Sequence, residues 1–209
     1  MTVDVNFWNR IARRYAAKPV ADPVAYEKKI AISRRYLTPR SRVFEFGCGT
    51  GSTALLHAPF VQHVRAIDFS ARMIEIAEQK RVAAKITNVR FECAALHEVA
   101  ESAERYDVVL GLSILHLLED WRGVLAQVYG LLEPGGVFIS STACIGDSMA
   151  WLRYLLPLGR ALRVLPRVVV FSAAALEQAL VEAGFAIDVR WHAGGNQAVF
   201  LVARRPARA

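Results

Sequence analysis

At 209 residues and a net charge of +7 the chain is sized for one domain with a full hydrophobic core, which leaves no room for an appended RNA-binding module. Cys48, Cys93 and Cys144 are odd in number and widely spaced, and the five histidines lack zinc spacing, which together exclude a disulfide framework and give no reason to expect a metal. The charge is uneven: residues 1–42 hold ten Lys/Arg against three Asp/Glu, whereas residues 43–144 hold eight against twelve.

Residues 6–17 form the first helix candidate, with Phe7, Ile11, Arg14 and Tyr15 recurring at helical spacing and Trp8 alongside. That face is too aromatic for a free tail; it covers a ligand or packs on the rest of the domain. Pro19 and Pro23 make 18–23 a loop, and Asp22 caps a second helix over 23–36 whose inner side carries Tyr26, Ile30 and Leu37. Residues 42–46 are a short apolar run that reads as a strand buried on both faces. It runs into Gly47-Cys48-Gly49-Thr50-Gly51, and residues 52–57 can then start a helix. Glycine here permits a sharp turn and a close approach of ligand to backbone, while the N–H groups opening the next helix suit an anionic group.

The second strand, 63–67, delivers Asp68 seventeen residues after Gly51. That is where nucleotide-binding βαβ units hold the hydroxyl pair of a ribose. The dinucleotide pattern G-x-G-x-x-G fails because position 52 is serine, and the absence of lysine between Lys29 and Lys80 excludes a phosphate P-loop. Ser70 then caps a helix over 71–84, and 89–93 is the third strand. Residues 106–111 make the fourth strand, and His116 follows at its carboxyl end, the side on which doubly wound sheets bind ligands. Asp120 caps a helix over 121–132 that Glu133-Pro134-Gly135-Gly136 ends, and 137–141 is the fifth strand. A helix capped by Ser172 runs to 183, and strands at 185–191 and 197–203 close the chain.

The stretch from Glu45 to Gly51, taken with Asp68-Phe69-Ser70, Met73-Ile74 and Leu131-Leu132-Glu133-Pro134-Gly135-Gly136, resembles the class I S-adenosylmethionine-dependent methyltransferases. The resemblance covers about residues 40–145 and 171–204. It implies an α/β fold, doubly wound around a mostly parallel seven-stranded sheet with an antiparallel C-terminal edge and a small helical cap. It implies S-adenosyl-L-methionine as cofactor and S-adenosyl-L-homocysteine as product. Glu45 or its surroundings would then orient the glycine loop, Gly47 and Gly49 would lie against the methionine part and Asp68 would take the ribose hydroxyls, with Cys48, Gly51, Phe69, Met73 and Gly111 also in the cofactor site and Tyr15 and Trp8 as cover. Many relatives place an Asp after the third strand for the adenine amino group. This chain has Cys93-Ala94-Ala95-Leu96 there, so adenine would rest on the backbone and side chains of Ala94, Ala95 and Leu96.

The resemblance also frames the rest of the chain: one methyltransferase domain over 1–209, with a helical cap at 1–40 and a helical insert at 147–170. The insert is strongly apolar, carries arginines at 153, 160, 163 and 167, and is broken by Pro157 and Gly159. Those breaks argue against a membrane span and for a lid over a hydrophobic acceptor, with an interfacial segment or a dimer surface as alternatives. Methyl transfer from a sulfonium needs alignment and a dry site, and a base only for a hydroxyl or carbon acceptor; His116 is the candidate, against a purely structural imidazole. Motifs of amino-methylating and cytosine-5 nucleic-acid enzymes are absent, so the chain looks similar to small-molecule methyltransferases, including those of quinones and lipids. The expected acceptor is small and apolar, with no nucleic acid. The expected location is cytoplasmic, with peripheral membrane contact as an extension, since no signal peptide is visible after Met1. Two rival readings stay open: a non-catalytic cofactor-binding or scaffold protein, and an RNA or DNA modifier drawn by the basic N-terminus.

Overall fold

A computed structural model describes residues 5–100, 103–147, 168–192, 194 and 198–207. Seven strands form one sheet in the order β3-β2-β1-β4-β5-β7-β6. They are β1 (Arg42–Phe46), β2 (His63–Asp68), β3 (Val89–Cys93), β4 (Tyr106–Leu112), β5 (Leu132–Thr142), β6 (Ala186–His192) and β7 (Val199–Arg204). The first five pair in parallel, and β7 runs antiparallel to both β5 and β6. This is the doubly wound sheet with an antiparallel edge that the sequence predicts.

Seven α-helices accompany the strands among the described residues: α1 (Val5–Ala17), α2 (Pro23–Arg34), α3 (Ser52–His57), α4 (Ala71–Ala83), α5 (Leu96–Ala100), α6 (Trp121–Leu131) and α7 (Ala173–Glu182). Four begin where a short polar side chain can take an orphan N–H. Asp22 accepts from Ala25 N (2.9 Å), Ser70 from Met73 N (3.3 Å), Asp120 from Gly123 N (3.0 Å) and Ser172 from Ala175 N (3.1 Å). Strand alternation sorts the core into two layers. Phe44, Phe138 and Leu201 face α5, α6 and α7, where Trp121 stacks on Phe171 at 4.4 Å. Val43, Val64, Ile139 and Phe200 face α2 and α3 on the other side.

Several boundaries differ from the sequence reading. β5 starts at Leu132 instead of 137, because Leu132 bridges Tyr106 before Pro134 and Gly135 interrupt the ladder that resumes at Val137. Leu96, expected in an adenine-binding loop, opens the short helix α5 and is buried in the core. The insert expected at 147–170 lies outside the described residues except at its ends. There Asp147 Oδ2 accepts from Ala173 N (2.8 Å), and Val169 N donates to the His116 carbonyl (2.7 Å). Among the described residues no helix is long and apolar enough to cross a membrane.

Candidate functional site

The site lies where β1, β2, β4 and β5 end, and alternation decides which side chains reach it. Glu45 follows Val43 by two residues and Ser141 follows Ile139 by two, so both project toward the α2 layer. After β1 the chain turns through Gly47, Gly49 and Gly51, each with a positive φ (65°, 53° and 73°) that a side chain rarely adopts. Their surroundings differ. A Cβ on Gly47 would sit 2.6 Å from the Ile114 side chain, and one on Gly51 2.5 Å from the Phe91 ring. At Gly49 the nearest atom is Tyr15 Cε1 at 3.9 Å, so only its Cα faces open space among the three.

Asp68 anchors this loop. Its Oδ2 accepts from Gly49 N (2.9 Å) and its Oδ1 from Ser70 N (2.8 Å), which leaves each oxygen with a spare lone pair. Burial pushes its carboxyl pKa up, and the two backbone bonds pull it back. Asp68 lines a small cavity of about 50 Å³ with Phe69, Met73, Trp8 and Leu117. A larger cavity of about 460 Å³ adjoins the other side of the loop, walled by α2 and by the ends of β1, β4 and β5. Gly47, Gly49 and Tyr15 line both.

Polar and titratable groups converge on the larger cavity. Glu45 is 3% exposed, its Oε2 has no hydrogen-bond partner, and burial drives its pKa to about 8, with the Asp68 charge adding to the shift. It is therefore protonated in neutral solution. Lys29 Nζ donates to Ser141 Oγ (3.0 Å), and burial pulls its pKa down while Asp22 raises it. Tyr26 and Thr53 share a hydroxyl hydrogen bond of 3.1 Å. Lys80 reaches from α4 to donate to Thr50 Oγ1 (2.9 Å) and Ser52 Oγ (3.0 Å), pinning the loop from outside.

Of the residues singled out in the sequence, Glu45, Gly47, Cys48, Gly49, Asp68, Phe69, Met73 and Tyr15 line one cavity or both. Gly51 shapes the loop from behind, against Phe91 and Ala77. Gly111 lines neither cavity, since its missing Cβ makes room for the Phe46 ring. Ala94, Ala95 and Leu96 also lie off both linings; Ala94 N donates to the Asp68 carbonyl (3.2 Å) and Ala95 N to Glu98 Oε2 (2.6 Å). His116 sits in a 3-10 turn between Leu115 and Leu117 and lines neither cavity. Its Nδ1 is buried without a partner, and burial lowers its pKa to about 4. The sequence reading missed Lys29, Lys80, Ser113 and Ser141. A lysine on the inner side of α2, between Tyr26 and Ile30, was the available signal.

Comparison with known proteins places this geometry in a family. Residues 11–188 match the family model described as a methyltransferase domain. The chain is 31% identical over 126 residues to the malonyl-[acyl-carrier protein] O-methyltransferase of Bacillus anthracis, covering 59% of this chain and 45% of that protein. It is 36% identical over 98 residues to the tRNA 5-carboxymethoxyuridine methyltransferase of Escherichia coli, covering 46% and 38%. The chain thus spans less than half the length of these curated relatives. The fold matches the N-methyltransferase NodS of Bradyrhizobium japonicum, solved with S-adenosyl-L-homocysteine, at a TM-score of 0.70 and 18% identity, over 95% of this chain and 98% of that one. With the family model spanning most of the chain, and the glycine loop, Asp68 and sheet order all in place, the chain belongs to the class I S-adenosylmethionine-dependent methyltransferase family.

Proposed function

We propose that this protein transfers a methyl group from S-adenosylmethionine to a small acceptor with an apolar body and a polar or anionic end. The observation that carries the reading is the pair of cavities that share Gly47, Gly49 and Tyr15 as lining, one holding Asp68 and the other opening onto β4 and β5. The residues fit the cofactor: Gly49 leaves its Cα bare, and Glu45 holds an orphaned buried oxygen in the same wall. When bound, S-adenosylmethionine supplies a methyl group already activated on a sulfonium. In this reading the free lone pairs of Asp68 take the ribose hydroxyls, and Phe69 and Met73 flank the base. Tyr15 and Trp8, set edge to face at 6.1 Å, close the site from α1.

The acceptor reading rests on mixed walls. Val20, Ile30, Leu112 and Phe200 supply apolar surface to the larger cavity, while Lys29 and Ser141 supply polar atoms. The apolar composition of 147–170 supports the same hydrophobic body. Alignment in a dry pocket is enough for an acceptor atom that is already nucleophilic. For a hydroxyl acceptor the sequence's candidate base is His116, whose imidazole is neutral above about pH 4 but lines neither cavity, so the role requires the 115–117 turn to bring it to the acceptor. Calorimetry and turnover together test the reading. Asp68→Ala is expected to weaken S-adenosyl-L-homocysteine binding by about 1.5–3 kcal/mol. His116→Ala should leave that affinity intact and lower kcat roughly 10²–10⁴-fold. A folded wild type that binds no cofactor would sink the proposal, and an unchanged kcat in the second variant would return His116 to packing.

A second reading, a nucleic-acid acceptor, is favoured by Arg10, Arg13 and Arg72 standing exposed near one another on α1 and α4, and by the tRNA-modifying relative. It requires binding to RNA that weakens steeply with salt. A flat titration at low salt removes it.

A further inference from the structure

The proposed chemistry leaves one feature of the larger cavity without a purpose: a half-buried ammonium that feels the Asp22 charge at a distance but makes no ion pair among the described residues. Lys29 lies on the inner face of α2 between Tyr26 and Ser33, and its Nζ donates to Ser141 Oγ at 3.0 Å. Among the described residues it makes no ion pair, with Glu45 or with any other carboxylate. Withdrawing a cation from water without a partner costs free energy. An ammonium has three donors, so two remain for the cavity after the bond to Ser141. Lys80, which lines the same cavity, already spends two of its three on Thr50 and Ser52.

The occupant that satisfies Lys29 is an anion, and the cavity limits its kind. A doubly charged phosphate would call for more cationic donors than the one ammonium and one hydroxyl that this wall offers, since Lys80 is already engaged with Thr50 and Ser52. A single carboxylate matches one ammonium with a hydroxyl beside it, and it leaves Glu45 Oε2 for a donor or cationic group.

We infer that Lys29 and Ser141 form a carboxylate-binding subsite in the larger cavity, a reading that rests on the methyltransferase function proposed above. Two ligands can bring the carboxylate: the amino-acid end of the cofactor, or the polar end of the acceptor. The test is calorimetry on the wild type and on Lys29→Met, with three probes. S-adenosyl-L-homocysteine carries the amino-acid end. 5′-Methylthioadenosine keeps the nucleoside and thioether but lacks that end. Octanoate, added to the protein saturated with S-adenosyl-L-homocysteine, mimics an apolar acceptor with a carboxylate.

If the cofactor is the source, Lys29→Met weakens S-adenosyl-L-homocysteine roughly ten- to hundredfold and leaves 5′-methylthioadenosine unchanged. If the acceptor is the source, both nucleosides bind as before and octanoate binding is lost. Lys29→Arg should keep most of the affected affinity, and Ser141→Ala should lower it about three- to tenfold through the lost hydroxyl alone. The Ser141 variant also serves if Lys29→Met fails to fold. Unchanged binding of all three probes by a folded Lys29→Met overturns the inference. A wild type that binds neither nucleoside instead overturns the function on which it rests.

Discussion

At the scale of single residues, three glycines share one backbone conformation for different reasons. Gly51 must lack a side chain because the Phe91 ring and Ala77 fill the space behind it, whereas Gly49 must lack one because its front faces the cavities. Gly51→Ala should therefore lose about 1–2 kcal/mol for the left-handed φ and a further 1–3 kcal/mol for overpacking, read by urea denaturation. Gly49→Ala should lose only the first amount and show its larger effect in cofactor affinity. Equal destabilisation of the two variants would contradict this division. Nothing in the glycine spacing separates the roles. Phe91 lies forty residues beyond Gly51 in sequence, and only the parallel pairing of β2 with β3 brings its ring there. Asp68 was legible because a strand tip fixes its direction. Lys29 was not, because a cation on an apolar helix face reads equally well as a solvated neighbour until β5 places Ser141 beneath it.

Among the elements, α1 is the one whose docking governs the site, and Asn9 holds it. Its Oδ1 accepts from Ser70 Oγ at 2.7 Å and from Arg72 N at 3.2 Å, so a side chain of α1 completes the N-terminus of α4. Asn9→Ala is expected to cost about 1 kcal/mol, as loss of a capping bond does, and to speed hydrogen exchange in α1 before the sheet responds. Exchange that rises uniformly through the protein would show that α1 is no separate unit. β1, β2 and β4 were readable because their apolar runs end in glycine or in a capped helix start. α5 was missed because five residues are too short for a helical period to register. The start of β5 was missed because Pro134 and Gly135 ordinarily break a strand, and here they only interrupt its ladder.

Over the whole molecule, buried titratable groups set opposing limits on stability. Glu45 has a folded pKa of about 8 against an ordinary 4.5, so its stabilising effect is complete below pH 4.5 and is lost as pH rises through 8. His57 and His116 have folded pKa values of about 4 against 6.5, so the unfolded chain takes up protons first and stability falls as pH drops from 6.5 toward 4. Each group adds a slope of up to about 1.4 kcal/mol per pH unit within its window. Urea denaturation across pH 4–9 should show both limbs. Glu45→Gln should flatten the alkaline limb, and His57→Gln the acidic one; an alkaline limb that persists in Glu45→Gln would place its origin elsewhere. The orphaned oxygen of Glu45 also sets the proton inventory of ligand capture. The carboxyl meets an incoming cationic group in its protonated form, and the contact draws it toward ionisation, so a proton passes to the solvent as the ligand settles. The calorimetric heat of cofactor binding should then vary with the ionisation enthalpy of the buffer, by up to about one proton near pH 7. That dependence should fade above pH 8 and vanish in Glu45→Gln, making the buffer itself a silent third party to the binding equilibrium.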